Sequence, residues 1–337
     1  MPTELREHLQ ALDAEFSMPP GALLASLVHA HLDQLPLPAQ GHTRQRWATL
    51  AAVAAHDLSL AKLFEGHTDA LAILAELGAP PAPGRIWGTW CAESPTARLR
   101  CAAPDAAGRV VVNGTKAWCS GASSVTHALV SAWNEQDEPC LLAVELNQPG
   151  IAITAQGWRA IGMGATASVD VIFDHVDGAL VGAPNAYVSR PGFWHGGAGI
   201  ASCWHGAASA IAAITWTHVR AKGERADPHQ LAHLGHIDIA LTSAQAVLHE
   251  VARWMDQNPS LDARQQALRA RLAAEACAVE VMRHAGRALG AGPLCKDVHL
   301  SKLMADLPVF LRQSHAERDL AELGQILVQS EGPPWSW

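Results

Sequence analysis

Tyrosine is almost missing from this chain: Tyr187 stands alone against twelve Trp and five Phe in 337 residues. Flat contact surface therefore falls to indoles, which fill cores and present broad faces to ring-shaped ligands. Cysteine is sparse and unpaired in pattern. Its seven residues, Cys91, Cys101, Cys119, Cys140, Cys203, Cys277 and Cys295, form no C-x-x-C pair. An odd, scattered set points to reduced thiols in a cytoplasmic protein and away from a disulfide framework. Lys and Arg never gather into long runs and the formal net charge is −8, which disfavours nucleic acid as a partner. No run of 18 uncharged apolar residues occurs, so no membrane span is expected. The opening MPTELREHLQALDAEF is charged and has no apolar core, so it does not read as a secretory leader.

What is present is ordinary globular composition, 49% hydrophobic and 17% charged, enough for one large domain or two to three packed layers. Histidine is plentiful at 18 residues. His229, His233 and His236 share a helix face. The pattern lacks H-E-x-x-H, which favours a solvated His-rich face over a metal site, and no metal is expected.

Residues 1–85 read as helices. Leu5, Leu9 and Leu12 open an amphipathic stretch that Pro19-Pro20 ends. Gly21–Leu35, Arg44–Phe64 and Asp69–Leu77 follow as helix candidates, closed by Gly78 and the linker Pro80-Pro81-Ala82-Pro83-Gly84. Residues 86–188 carry turn signals every 8–12 positions, the rhythm of a β-barrel or sandwich. Ile86–Ala92 is its first strand. In Arg109–Trp133 the β-branched run Val110–Val112 suits a strand, and Asn113-Gly114 is the preferred dipeptide for a two-residue hairpin turn. Thr115–Trp118 then returns, and Ser120-Gly121-Ala122 breaks the strand. Val169, Val171 and Phe173 alternate with Asp170, Ile172 and Asp174, which makes one face apolar. Residues 189–337 return to helices. Asp227-Pro228-His229-Gln230 is a helix start with a capping Asp. Another helix is expected from Asp262 to Leu289 with Gly290 as its cap, and one from Asp297 that Pro308 breaks or restarts. The expected architecture is α+β: an N-terminal helical domain over 1–85, a middle β-barrel or sandwich domain over 86–188, and a C-terminal four-helix bundle over 189–337.

The stretch NGTKAWCSGA resembles the acyl-CoA dehydrogenase family's pattern of Asn-Gly, Lys, Trp, a small residue and a hydroxyl residue, although an ordinary hairpin with a core Trp would look the same. The resemblance implies that Trp118 packs against a flavin ring and that Ser120 hydrogen-bonds the flavin edge near its reactive nitrogen. Three further stretches are similar to the family. WGTWCAES occupies the place of a flavin-contacting strand, which implicates Trp90, Cys91 and Ala92 and keeps an acidic residue at Glu93. Asp57–His67 resembles helices that cover the acyl pocket in a helical domain shorter here than usual. Gly157–Pro184 resembles the segment closing the middle domain, mostly scaffold, with Thr166 and Ser168 in register. The order helices, β domain, helices matches over nearly the whole chain.

The resemblance implies FAD as cofactor, an acyl thioester (on CoA or a carrier) as substrate, and a homodimer or homotetramer, with the electron acceptor unspecified. The chain departs from the family at the catalytic base. The expected Tyr-Glu-Gly-Thr segment falls on RQSHAERDL, where Glu317 is the nearest carboxylate, out of register, and equally reads as an exposed residue in ion pairs with Arg. An alternative base position near Gly196 holds no carboxylate, only adjacent His195. Arg220, with Arg225, stands where the family places an Arg for the cofactor's pyrophosphate. Arg287 and Gly290, with Gly292, stand where it cradles the adenosine end. Arg287 also suits a helix C-terminus. The leading expectation is α,β-dehydrogenation of an acyl thioester, in which a carboxylate takes the α-proton while hydride passes to flavin. A flavin monooxygenase on the same scaffold, needing no such carboxylate, is the alternative, and a catalytically silent binding subunit is a third reading.

Overall fold

The computed structural model describes residues 2–79, 81–332, 334 and 335; Pro80, in the expected linker, lies outside them. Along the chain come α1 (Pro2–Leu12), α2 (Pro20–His29), α3 (Thr43–His56) and α4 (Leu58–Glu76), then β1 (Trp87–Trp90), β2 (Leu99–Cys101), β3 (Arg109–Cys119), β4 (His127–Trp133), β5 (Pro139–Glu145), β6 (Ile151–Ile153) and β7 (Val169–Leu180). The remainder is helical: α5 (Ala186–Ser189), α6 (Gly192–Gly197), α7 (Ile200–Arg220), α8 (Pro228–Gln257), α9 (Arg264–Leu289), α10 (Ala291–Lys296), α11 (Val298–Phe310) and α12 (Glu317–Val328). The fold is mixed α+β. By contact the chain forms two compact units, residues 17–35 with 59–193 and residues 1–16 with 36–58 and 194–337. Each draws on more than one of the three expected segments.

The first unit is built on a closed ring of five strands, β4–β2–β3–β7–β5 and back to β4, with β6 added on β7. β1 and β2 lie one after the other along β4, both parallel to it. Closure leaves few edges to protect. Helix α4 docks on the barrel through Ala70, Ile73 and Leu74 against Trp87, Leu129, Leu141 and Val181. His67 of α4, also buried, accepts from the Trp87 N–H at 3.0 Å and meets Asp33 through its other nitrogen at 3.0 Å. β1 is thereby pinned at its start and is shorter than the expected Ile86–Ala92.

Asn113-Gly114 does not turn the chain. β3 runs straight through it, and both arms pair with β7 instead of with each other. A tight hairpin of the expected type needs positive φ at both central residues, and here Gly114 alone has it, at 122°. The dipeptide serves a bulge: the register shifts there, and Asn113 Oδ1 accepts from the His175 N–H at 2.8 Å. A Cβ on Gly114 would fall 2.4 Å from the Arg98 carbonyl, so the close approach of β2 requires glycine. The alternation in β7 is as read: Val171 and Phe173 are buried and Ile172 is exposed.

In the second unit α7 packs on α3, α9 and α11, and α8 on α9. Small residues allow this closeness; a Cβ on Gly206 would fall 2.2 Å from the Ala51 carbonyl. The stretch Gly192–Arg220 is apolar and long enough to cross a membrane by composition, but two-thirds of its apolar 18-residue window is buried in protein, as in a core helix. The expected Arg44–Phe64 helix is cut at Asp57, whose backbone is extended (φ −155°) and whose carboxylate holds Lys302 of α11 at 2.6 Å. The expected helix Asp69–Leu77 is the second half of α4. Pro308 does not break α11 but sits inside its last turn. Asp227 caps α8 by accepting from the His229 N–H at 2.7 Å. His233 and His236 do not form a wholly solvated face: His233 Nδ1 meets buried His284 Nδ1 at 2.8 Å and His236 stacks on the same ring. Among the described residues no group of three or more His, Cys, Asp or Glu is placed to hold a metal ion.

Candidate functional site

The end of β3 departs from regular strand geometry. The pairing with β7 shifts again between Lys116 and Cys119. Trp118 lies in that bulge with φ at 59°, a left-handed conformation that a bulky residue adopts only under constraint. The twist turns its indole out of the barrel, and the residue is 44% exposed while Ala117 and Cys119 beside it are buried. A flat apolar face is thus turned toward solvent at the strand end.

Two residues back along β3 begins a charge cluster whose pairing was not expected from the sequence. Lys116, buried, donates through Nζ to Glu93 Oε1 at 2.8 Å, to Ser131 Oγ at 2.7 Å and to the Ser131 carbonyl at 3.2 Å. All three ammonium protons are used. Glu93 also accepts from the Ser131 hydroxyl and from Trp133 Nε1. Burial alone would raise the Glu93 pKa, but the hydrogen bonds from Lys116, Ser131 and Trp133 outweigh it and hold the carboxylate below its ordinary value.

Ser120, half-buried, follows the bulge. Its hydroxyl lies 2.7 Å from Ser168 Oγ, which lies 2.8 Å from Thr166 Oγ1, which donates to the Met163 carbonyl at 2.7 Å. Thr166 and Ser168 were legible as family-like positions but not as partners of Ser120. The signal missed was that three hydroxyl residues flank one strand end. The Ser120 backbone is held from the other side, where Trp90 Nε1 donates to its carbonyl at 3.0 Å.

That contact explains the placement of Trp90. Its indole is only 2% exposed and supports the Ser120 loop from within, offering no face to a ligand. Cys91 is half-buried, and desolvation pushes its thiol up to about 12, close to the Tyr187 hydroxyl. Ala92 is exposed in the loop after β1. A void lined by Leu63, Gly66, Trp87, Thr89 and Ser120 has a volume of about 10 Å³, room for one water at most. That void is too small for a ring.

The helical unit holds the other expected residues. The turn before α12 is also strained: Ala316 has φ 48° and ψ −112°. It is fixed by the Asp319 carboxylate, which accepts the His315 N–H at 3.1 Å and meets His315 Nδ1 at 3.2 Å, and by Arg271, which donates to the Gln313 and Gly197 carbonyls. Glu317 is exposed at the first turn of α12. His195 is buried, with Nε2 at 3.3 Å from the Leu261 carbonyl. Arg220 is exposed at the end of α7 and lies over the Trp216 ring. Arg287 is exposed in the last turn of α9, and Gly290 makes the reversal between α9 and α10 with φ 67° and ψ −169°, a region open in practice to glycine alone. Two clefts among the described residues of this unit, of about 610 and 700 Å³, are lined by none of these five residues, although Gly292 lines the first.

No protein-family model matches the chain. Dibenzothiophene monooxygenase of Rhodococcus erythropolis is 31% identical over a stretch covering 45% of this chain and 42% of that enzyme, so the match spans less than half of the curated relative. Two solved structures align over nearly everything. Dibenzothiophene monooxygenase TdsC from Paenibacillus sp. A11-2 has a TM-score of 0.80 at 19% identity, covering 99% of this chain and 97% of that one; it has also been solved with FMN and indole. Methanesulfinate monooxygenase MsuC from Pseudomonas fluorescens has a TM-score of 0.80 at 21% identity with the same coverage. The chain has the acyl-CoA dehydrogenase-like fold that these monooxygenases share.

Proposed function

We propose that this chain is a flavin-dependent monooxygenase that holds FMN against Trp118 and Ser120. The observation that carries the reading is the turn before α12. Dehydrogenation of a thioester needs a carboxylate base in a dry pocket. Glu317 is exposed, and buried Asp319 is committed to His315. A bound reduced flavin supplies the reaction with molecular oxygen and asks for no such carboxylate. Support also comes from the fold shared with two monooxygenases and from the partial identity to a third.

The residues fit a flavin. Trp118 offers an indole face for the ring, Ser120 a hydroxyl for its polar edge, and the Lys116–Glu93–Ser131 cluster keeps both in place. FMN replaces the FAD expected from the sequence, because FMN is the flavin in the TdsC complexes. FMN has no adenosine half, so Arg287 and Gly290 have no such part to hold. On this reading the acyl thioester gives way to a small organic substrate, with organosulfur compounds first in line given the names of the relatives.

The test is to saturate the purified protein with FMN, supply reduced FMN from a separate reductase under isotopically labelled oxygen, and search organosulfur compounds for the label. One labelled oxygen atom per product is expected. Anaerobic bleaching of the bound flavin by an acyl-CoA would return the function to dehydrogenation. Failure to bind FMN or FAD in either redox state would remove flavin chemistry altogether.

A further inference from the structure

From the direction of the hydrogen bonds behind Ser120 we infer that Ser168, Thr166 and the Met163 carbonyl act as a positioning chain that fixes Ser120 as an acceptor and so selects reduced over oxidised flavin. The inference rests on the flavin reading above.

The direction follows from counting protons. A carbonyl can only accept, so the Thr166 hydroxyl must donate to Met163. A hydroxyl has one proton and two lone pairs. With its proton spent, Thr166 can meet Ser168 only as acceptor, so Ser168 donates to it. Ser168 has then spent its proton in turn, and the Ser120 hydroxyl must donate inward to Ser168. Ser120 is left with lone pairs alone to offer a ligand. Thr166 and Ser168 are buried, and reversal would withdraw the Thr166 hydroxyl from the Met163 carbonyl, which would keep only the Thr166 N–H at 3.1 Å, so the reversed chain has one hydrogen bond fewer.

A ligand edge presented to Ser120 is welcome if it carries an N–H and opposed if it carries a bare nitrogen lone pair. The reactive ring nitrogen of flavin is an acceptor when oxidised and gains a hydrogen on reduction. Ser120 so oriented stabilises the reduced ring and disfavours the oxidised one. An enzyme that takes up reduced flavin and releases the oxidised form would gain from this polarity.

The experiment is to measure the Kd of FMN anaerobically, oxidised and dithionite-reduced, and the midpoint potential of the bound flavin. The wild-type protein should bind reduced FMN at least tenfold more tightly, which raises the two-electron potential by about 30 mV relative to free FMN. Thr166→Val removes the acceptor of Ser168, so Ser168 can donate to Ser120 and turn its proton outward; the preference should collapse or reverse. Ser168→Ala releases the Ser120 hydroxyl to rotate, and the ratio should fall toward one. A merely structural role would weaken both redox forms together and leave the ratio and the potential unmoved. If FMN binds but neither variant changes the ratio, the positioning chain is refuted while the flavin reading stands. If wild-type protein binds neither form, both fall.

Discussion

The end of β3 and the turn before α12 both bend the chain into left-handed backbone, and in both the neighbours are arranged to hold it there. Trp118 sits in a register shift against β7, two residues after a buried ammonium with three acceptors. At Ala316 the constraint comes from Asp319 and Arg271. Strain of this kind costs about 1–3 kcal/mol at each residue and persists only where the surroundings over-determine it. What differs is the side chain displayed. The barrel presents an indole and, next to it, a hydroxyl of fixed direction; the turn presents a methyl group, with the nearest free carboxylate in solvent. On the proposed reading the cofactor-holding residues lie at the barrel end, and the exposed Glu317 at the turn takes no part in proton abstraction.

The harshest way to break that contrast is to remove what holds the barrel end. Lys116→Met should cost about 2 to 3 kcal/mol in urea unfolding. That is below the usual range for opening a buried pair, because Glu93 is 39% exposed. The variant should also alter the acid response. Glu93 has a folded pKa held low, against the effect of burial, by Lys116, Ser131 and Trp133. A depressed carboxylate contributes stability that is complete above its unfolded value, about 4.3, and is lost as pH falls through the lower folded value. That acid-dependent portion should shrink in Lys116→Met. An unchanged acid limb would mean that the cluster does not stiffen the site.

Next in size is Trp118→Ala. Taking away an aromatic face should weaken FMN binding by about 10- to 100-fold, the equivalent of burying one large apolar side chain. The melting temperature should hold or rise, since the indole is 44% exposed and alanine is less strained at positive φ. Loss of folding together with binding would reassign Trp118 to the core and leave the proposed flavin without a platform.

Much of the fold was legible because its signals are local. The capping Asp227, the alternation in β7 and the order of helical and strand segments each depend on neighbours a few residues apart. The misreadings have a common cause in long-range pairing. Asn113-Gly114 has the composition of a hairpin, yet β7, some 60 positions away, takes both arms. Asp57 is extended and ends a helix that propensity would continue, and its carboxylate pairs with Lys302 of α11, far along the chain. Trp90 and Trp118 look alike in sequence, and only the barrel decides that one indole faces inward against the Ser120 carbonyl and the other outward. The hydroxyl chain could not be read from residue types alone, since its direction is set by one carbonyl, that of Met163.

The smallest expected effect is at Glu317. Glu317→Gln should leave stability within about 0.5 kcal/mol, as for surface positions without special contacts, and FMN binding and oxygen transfer within about twofold, which corresponds to some 0.4 kcal/mol. This near-silence is informative because the sequence singled Glu317 out as the base. If a base acted here, removing its charge would cost two orders of magnitude or more in turnover, and no change elsewhere in the turn would compensate. A silent Glu317 together with a crippled Trp118→Ala would separate the two strained places by function: the barrel end would hold the chemistry, and the turn would serve as a structural hinge into α12. A crippled Glu317→Gln with intact flavin binding would reverse that assignment and restore a proton-abstracting carboxylate to the mechanism.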